Sequence, residues 1–185
     1  MQKLSVILLG IAGLFLTFAA SCSFDAEERS YAEDRALIED LQARYLFALD
    51  FGDADTYAAT FTEDGELFYG PPETIRGRDA LRDLVGRMPD RQQAGESEDE
   101  QKLHPATGRH NISNIVIKIN GDKAEGRAYW FHYSNNNPER KAVFDGYGHY
   151  EDEMVKVNGE WLFSKRKIYN EQVADWAGKS NNPAW

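Results

Sequence analysis

Four histidines, His104, His110, His132 and His149, are the side chains here whose charge ordinarily changes near neutral pH. None stand at a metal-ligand spacing such as H-x-H or H-x-x-x-H, so the sequence gives no reason to expect a metal. No serine or cysteine nucleophile motif and no phosphate-cradling glycine loop is present. Histidines of this kind can move protons between positioned groups. Asp50 closes a helical pattern, where the helix dipole favours cations and an acid needs a partner. Strand alternation puts Gly126, Ala128, Trp130 and His132 on one face, the two small residues leaving room for a ligand. Asn114 shares the parity of His110 and can orient a substrate oxygen. Tyr69 ends a short strand, and its phenol can donate to an oxygen that becomes negative. His149 has the opposite parity to Tyr150 and is expected to face outward, while His104 sits in a polar loop. A bland alternative stands beside each functional reading. Asp50 can cap the next turn, His110 can be a core histidine, His132 can be a surface residue, and Tyr69 can close the core with its hydroxyl in water.

The elements that must carry these residues follow from periodicity. Leu37, Leu41, Tyr45 and Leu49 predict a helix over Glu33 to Phe51, stopped by Gly52. Asp53 is a candidate N-cap for a short helix from Ala54 to Phe61. Glu66 to Tyr69 reads as a strand broken by Gly70-Pro71-Pro72, and Asp79 to Met88 as a third helix. Residues 90–102 are polar and acidic and read as a loop beside the pocket mouth, with disorder an equal alternative. Arg109 to Asn120 and Lys123 to Ser134 form a hairpin over Asn120-Gly121. Lys141 to Val157 is a long strand bent or bulged near Gly146 and Gly148. Asn158-Gly159 turns it into a last strand, Trp161 to Tyr169. The tail from Asn170 has no clear period. Helices first and a meander afterwards predict an α+β domain, helices on one face of a curved antiparallel sheet.

Composition narrows the function. The 185 residues are 42% hydrophobic and carry a net charge of −10, a poor match for nucleic-acid phosphates. The single cysteine excludes an intrachain disulfide. Four Trp, nine Tyr and ten Phe suit an apolar pocket.

Met1 to Lys3 and the uncharged run Leu4 to Ala20 lead to Ala19-Ala20-Ser21-Cys22. This segment resembles a bacterial lipoprotein signal, with Phe18 where a leucine is usual. An ordinary secretory signal or an uncleaved anchor are the alternatives. The resemblance implies cleavage before Cys22, lipidation there and a membrane-anchored periplasmic domain. Ser23 after the cysteine favours the outer membrane. The chain then divides into a signal peptide (1–21), a tether (22–32), a domain (33–170) and a C-terminal tail (171–185).

The order and spacing of Arg44–Leu67, Ile75–Leu81, His110–Trp130 and Gly146–Ile168 resemble the nuclear-transport-factor-2-like superfamily, in its SnoaL-like and scytalone-dehydratase-like branch. The resemblance implies a cone-shaped antiparallel sheet wrapped around a long N-terminal helix, with a deep pocket between. It implies that Asp50 orients His110, that His132 faces it across the substrate as second proton carrier, and that Tyr69 polarises a substrate oxygen. Tyr150 and Trp130 would be substrate contacts. Leu49, where scytalone dehydratases have a tyrosine, argues against scytalone itself. Leu67-Phe68-Tyr69 lacks the acid that ketosteroid isomerases carry. The implied activity is a cofactor-independent lyase, a dehydratase or retro-aldol-type C–C lyase, on a small hydroxylated aromatic or apolar molecule. A non-catalytic carrier of a hydrophobic metabolite, an isomerase or cyclase, and an interaction module are the alternatives the superfamily offers; its sheets often dimerise face to face, and the resemblance leaves a homodimer or homotrimer open.

Overall fold

The computed structural model describes residues 26–88, 107–179 and 181–185. Residues 1–21, expected to be a signal peptide, Cys22, His104 and the polar segment 90–102, expected to be a loop, lie outside these residues. Helix α1 (Ala26–Phe51) buries Ile38, Leu41, Gln42, Tyr45 and Ala48. Leu37, expected on that stripe, is instead 39% exposed. Steps of four residues drift around a helix of 3.6 residues per turn, so one face cannot hold everything from Leu37 to Leu49. Gly52, at φ +70°, stops α1 as expected. Asp53 caps α2 (Ala54–Ala59) by accepting the Thr56 N–H at 3.0 Å.

Strand β1 (Phe61–Tyr69) starts earlier than its apolar residues suggested and pairs with a short β2 (Thr74–Arg76) that had no sequence signal. Helix α3 (Arg78–Gly86) buries Leu81 and Val85. Four long strands follow: β3 (Gly108–Asn120), β4 (Lys123–Ser134), β5 (Val143–Val157) and β6 (Glu160–Asn170). Asn158 and Gly159 both have positive φ, the two-residue turn that matches strand twist. At the β3–β4 turn only Gly121 does.

The sheet order is β2-β1-β6-β5-β4-β3. This corrects the expected architecture. The α+β class and the N-terminal helix hold, but the sheet is not a closed or strongly curled cone. It is open, with β2 and β3 as its edges, and it is mixed, because β1 runs parallel to β6. The parallel pair arises because the meander from β3 to β6 returns beside β1, which entered the sheet before α3. Helix α1 lies against β3 and β6 and encloses the core with the sheet.

At the centre of that core is a charge. Arg166 and Asp152 are both completely buried and share two hydrogen bonds of 2.8 Å. The guanidinium lies 4.1–4.2 Å from the ring centroids of Tyr45, Tyr150 and Phe163. Burial works against its charged form, but Asp152 outweighs this and holds the guanidinium above its ordinary range. Removing one partner leaves the other charge buried alone, at about 3–5 kcal/mol. Asp152→Ala is therefore expected to lower the urea unfolding free energy by about that amount. A loss below about 1 kcal/mol would show that the pair does not hold the core.

Candidate active site

The floor of the pocket grows out of this cluster. Tyr45 on α1 packs at 4.8 Å, tilted by 37°, against Tyr57 on α2, whose hydroxyl donates to the Tyr45 hydroxyl at 3.1 Å. Tyr150 on β5 lies parallel to Trp130 on β4 at 6.2 Å. Burial first, then the neighbouring phenol, pushes Tyr57 and Tyr150 well above the ordinary tyrosine range; burial also raises Tyr45. All three are phenols that donate or accept a hydrogen bond at neutral pH without ionising. Leu49, Leu84, Met88, Ile168 and Trp176 complete the apolar lining of a cavity of about 210 Å³.

The polar wall is made by β3 and β4. Asp50, in the last turn of α1 with a side chain only 4% exposed, uses both oxygens on one residue. Its Oδ2 accepts the backbone N–H of His110 at 2.8 Å, and its Oδ1 lies 2.6 Å from His110 Nδ1. A carboxylate only accepts, so Nδ1 carries the proton and Nε2 is the basic end. The adverse placement of an acid at a helix end is thus explained by its partner.

His132 lines the same cavity, but not across the substrate from His110. The two are Cα partners in the β3–β4 ladder, and their rings lie 4.4 Å apart. Directly paired residues of antiparallel strands project from the same face of the sheet. The expectation of donor and acceptor on opposite sides is therefore corrected: both imidazoles stand side by side on one wall. A second carboxylate serves His132. Asp145 Oδ1 lies 2.5 Å from His132 Nδ1, and Asp145 Oδ2 accepts from Ser134 Oγ at 2.7 Å. Burial acts to raise the Asp145 pKa, but the bonds from Ser134 and His132 outweigh it and hold the carboxyl below its ordinary range.

The other expected residues divide. Tyr69 lines the cavity at its rim, 43% exposed, edge-on to Trp176 at 5.1 Å. Trp130, Tyr150 and Leu49 line it as well. Asn114 does not reach the cavity. It sits where the β3–β4 register shifts between Ser113 and Val116, with φ +52°, and is exposed. Strand parity does not survive such an irregularity. His149 lies on the opposite sheet face from Tyr150, as parity implies, yet it is buried, not solvated. The tail and β6 cover it: Glu171 Oε1 is 2.8 Å from its Nδ1, and Tyr169 of β6 stacks on it at 4.5 Å. Among the described residues, no group of three His, Cys, Asp or Glu is placed to hold a metal ion.

Sequence reading missed Asp145, Asn170 and Trp176 as pocket residues. Trp176 lies in a 3₁₀ turn (Ala174–Trp176) of the tail, and its ring packs on Gly70. An aperiodic segment gives no warning of such a contact.

The chain belongs to the SnoaL-like domain family, whose pattern matches residues 30–167. A protein provisionally named a scytalone dehydratase, from Novosphingobium aromaticivorans, is similar at 26% identity and TM-score 0.63, over 84% of this chain and 95% of its own. A Nostoc punctiforme protein of unknown function with a cystatin-like fold is similar at 28% identity and TM-score 0.59, over 83% and 97%. A Mycobacterium tuberculosis protein of unknown function shares the fold at 24% identity and TM-score 0.64, over 83% and 84%. No curated protein matches the chain in sequence. The fold is that of the nuclear-transport-factor-2-like superfamily, which includes dehydratases, other lyases and binding proteins, and it provides a cavity for a small hydrophobic or aromatic ligand.

One backbone position holds the wall in place. A Cβ on Gly148 would lie 1.9 Å from the Tyr169 carbonyl oxygen, which accepts the Trp130 indole N–H at 2.9 Å. Gly148→Ala is expected to part β5 from β6 there and lower stability by about 1–3 kcal/mol. Near-UV circular dichroism of the tryptophans and urea unfolding check this; an unchanged spectrum with unchanged stability would refute it.

Proposed function

We propose that this protein is a cofactor-independent lyase that eliminates water from a small hydroxylated aromatic or apolar substrate. The observation that carries this reading is the pair of carboxylate-bound imidazoles side by side on the wall of an aromatic cavity. His110 Nε2, left as the acceptor nitrogen because Asp50 holds Nδ1, takes the proton from carbon. That C–H electron pair becomes the new π bond. The C–O bond breaks toward oxygen, and His132 in its imidazolium form gives the Nε2 proton that turns the leaving hydroxyl into water. Tyr69, and Tyr150 below it, donate to a substrate oxygen that gains charge. The cycle closes when one proton passes from His110 to the adjacent His132. A retro-aldol-type C–C cleavage releasing a small aldehyde uses the same transfers, beginning from O–H instead of C–H. The cavity is below the range of roughly 300–1,000 Å³ typical of drug-sized ligands, which favours a compact substrate.

The test is turnover against a panel of aromatic diols and hydroxy ketones. His110→Ala is expected to lower turnover about 10²- to 10⁴-fold with the protein still folded. Asp50→Asn should do nearly as much, His149→Ala little, and EDTA nothing. Full turnover by His110→Ala would overturn the acid–base assignment. A wild type that binds panel compounds in the cavity without converting any would make it a carrier.

We further propose that the domain works outside the cytoplasm, lipidated at Cys22 on the periplasmic face of a bacterial membrane. The Ala19-Ala20-Ser21-Cys22 segment supports this. Mass spectrometry of the mature N-terminus is expected to find a diacylated or triacylated Cys22; an intact Met1 or an unmodified Cys22 would refute it.

A further inference from the structure

Catalysis by two imidazoles requires each to be held in one tautomer, and the fold does this twice by different means. For His110 the carboxylate comes from the end of α1. For His132 it comes from an irregularity in β5. The β4–β5 ladder pairs His132 with Gly146 and then Tyr133 with Phe144, so Asp145 is an extra residue without a partner. A residue inserted this way is turned out of the regular alternation. Here that brings its carboxylate onto His132 Nδ1 at 2.5 Å. Two further features fit the contact. Ser134, two residues along from His132 and therefore on the same face, fixes the second oxygen of Asp145 at 2.7 Å. Across the ladder, Gly108 provides the space for the ring: a Cβ there would lie 2.2 Å from His132 Nε2.

We propose that Asp145 is the positioning residue of a second acid–base dyad, fixing the proton of His132 on Nδ1 so that Nε2, which lies buried over Gly108, is the nitrogen left to exchange a proton. The proposal rests on the lyase reading for its catalytic meaning, though not for its geometry. Asp145 touches no reacting atom; it acts through His132. With a carboxylate on each Nδ1, a proton left on His110 after elimination has the adjacent His132 ring, 4.4 Å away, as its acceptor. Among the described residues, His110 on β3 and, behind it, Asp50 on α1 also face His132.

The test is direct observation of the ring nitrogens by ¹H–¹⁵N correlation on the labelled full chain, with no substrate present. In the wild type the neutral His132 is expected to carry its proton on Nδ1. In Asp145→Ala its signals should move to the Nε2–H form, which free imidazoles prefer, while those of His110 stay in place. Asp145→Asn, whose amide oxygen still accepts, should restore the Nδ1–H form in part. Ser134→Ala, which leaves the carboxylate but frees its second oxygen, should give a smaller move in the same direction as Asp145→Ala and serves if that variant does not fold. On a substrate the wild type converts, Asp145→Ala should lower kcat about 10²-fold or more with KM little changed. His132 signals that do not move in Asp145→Ala or Ser134→Ala would overturn the proposal, as would a shifted tautomer with kcat intact. If the signals move as expected but the wild type converts nothing, the dyad stands and the lyase reading fails.

Discussion

The pocket depends on a buried ion pair that touches no part of its polar wall. Arg166 and Asp152 face each other across adjacent strands, β6 and β5, in direct register. Alone, either charge would be costly in such a place. Held by Asp152, the Arg166 guanidinium is a cationic plate on which Tyr45, Tyr150 and Phe163 pack by their faces. Gln42 of α1 reaches the same carboxylate at 3.4 Å. The pair therefore sets the height of the helix over the sheet as well as the floor of the cavity. Apolar residues alone could fill that volume, but they would slide. The directional bonds of a guanidinium specify one arrangement of three rings.

Above the floor, the chemistry is placed by strand register. His110 and His132 are neighbours because the β3–β4 hairpin closes with a two-residue turn and keeps its pairing through to that end, apart from one irregularity at Ser113–Val116. The same irregularity that removes Asn114 from the pocket also fixes the distance from the turn to His110. On the other side of β4, the extra residue in β5 supplies the second carboxylate. The functional wall is thus built where three strands each depart from or rely on regular pairing, and the regular parts serve as rulers between them.

Much of this was legible in the sequence and some could not have been. The helices, the hairpins at Asn120-Gly121 and Asn158-Gly159, and the bulge near Gly146 are local signals carried by a few adjacent residues. Asp50 was marked by its poor fit to a helix end, and His132 by its alternation with Gly126, Ala128 and Trp130. The parallel β1–β6 pairing and the open edges depend on residues about a hundred positions apart, which no local pattern encodes. Asp145 was hidden for a related reason: alternation assigns every strand residue a side, and a bulged residue is the one for which that assignment fails. Trp176 was hidden because its contact is with the sheet rather than with its own segment.

The placement of Asp50 shows how function and stability trade against each other here. A carboxylate in the last turn of a helix costs about 0.3–1 kcal/mol through the dipole, and burying it adds desolvation. Two hydrogen bonds from His110, one of them from backbone, offset this. A neutral residue at position 50 would avoid the cost but would leave the helix end untied to β3 and the imidazole free to turn. The backbone bond distinguishes this arrangement from a simple side-chain pair. It fixes the strand relative to the helix independently of the imidazole. The backbone contact and the imidazole contact are made by the two oxygens of one carboxylate, so the geometry of the site cannot drift without the helix–sheet packing drifting too.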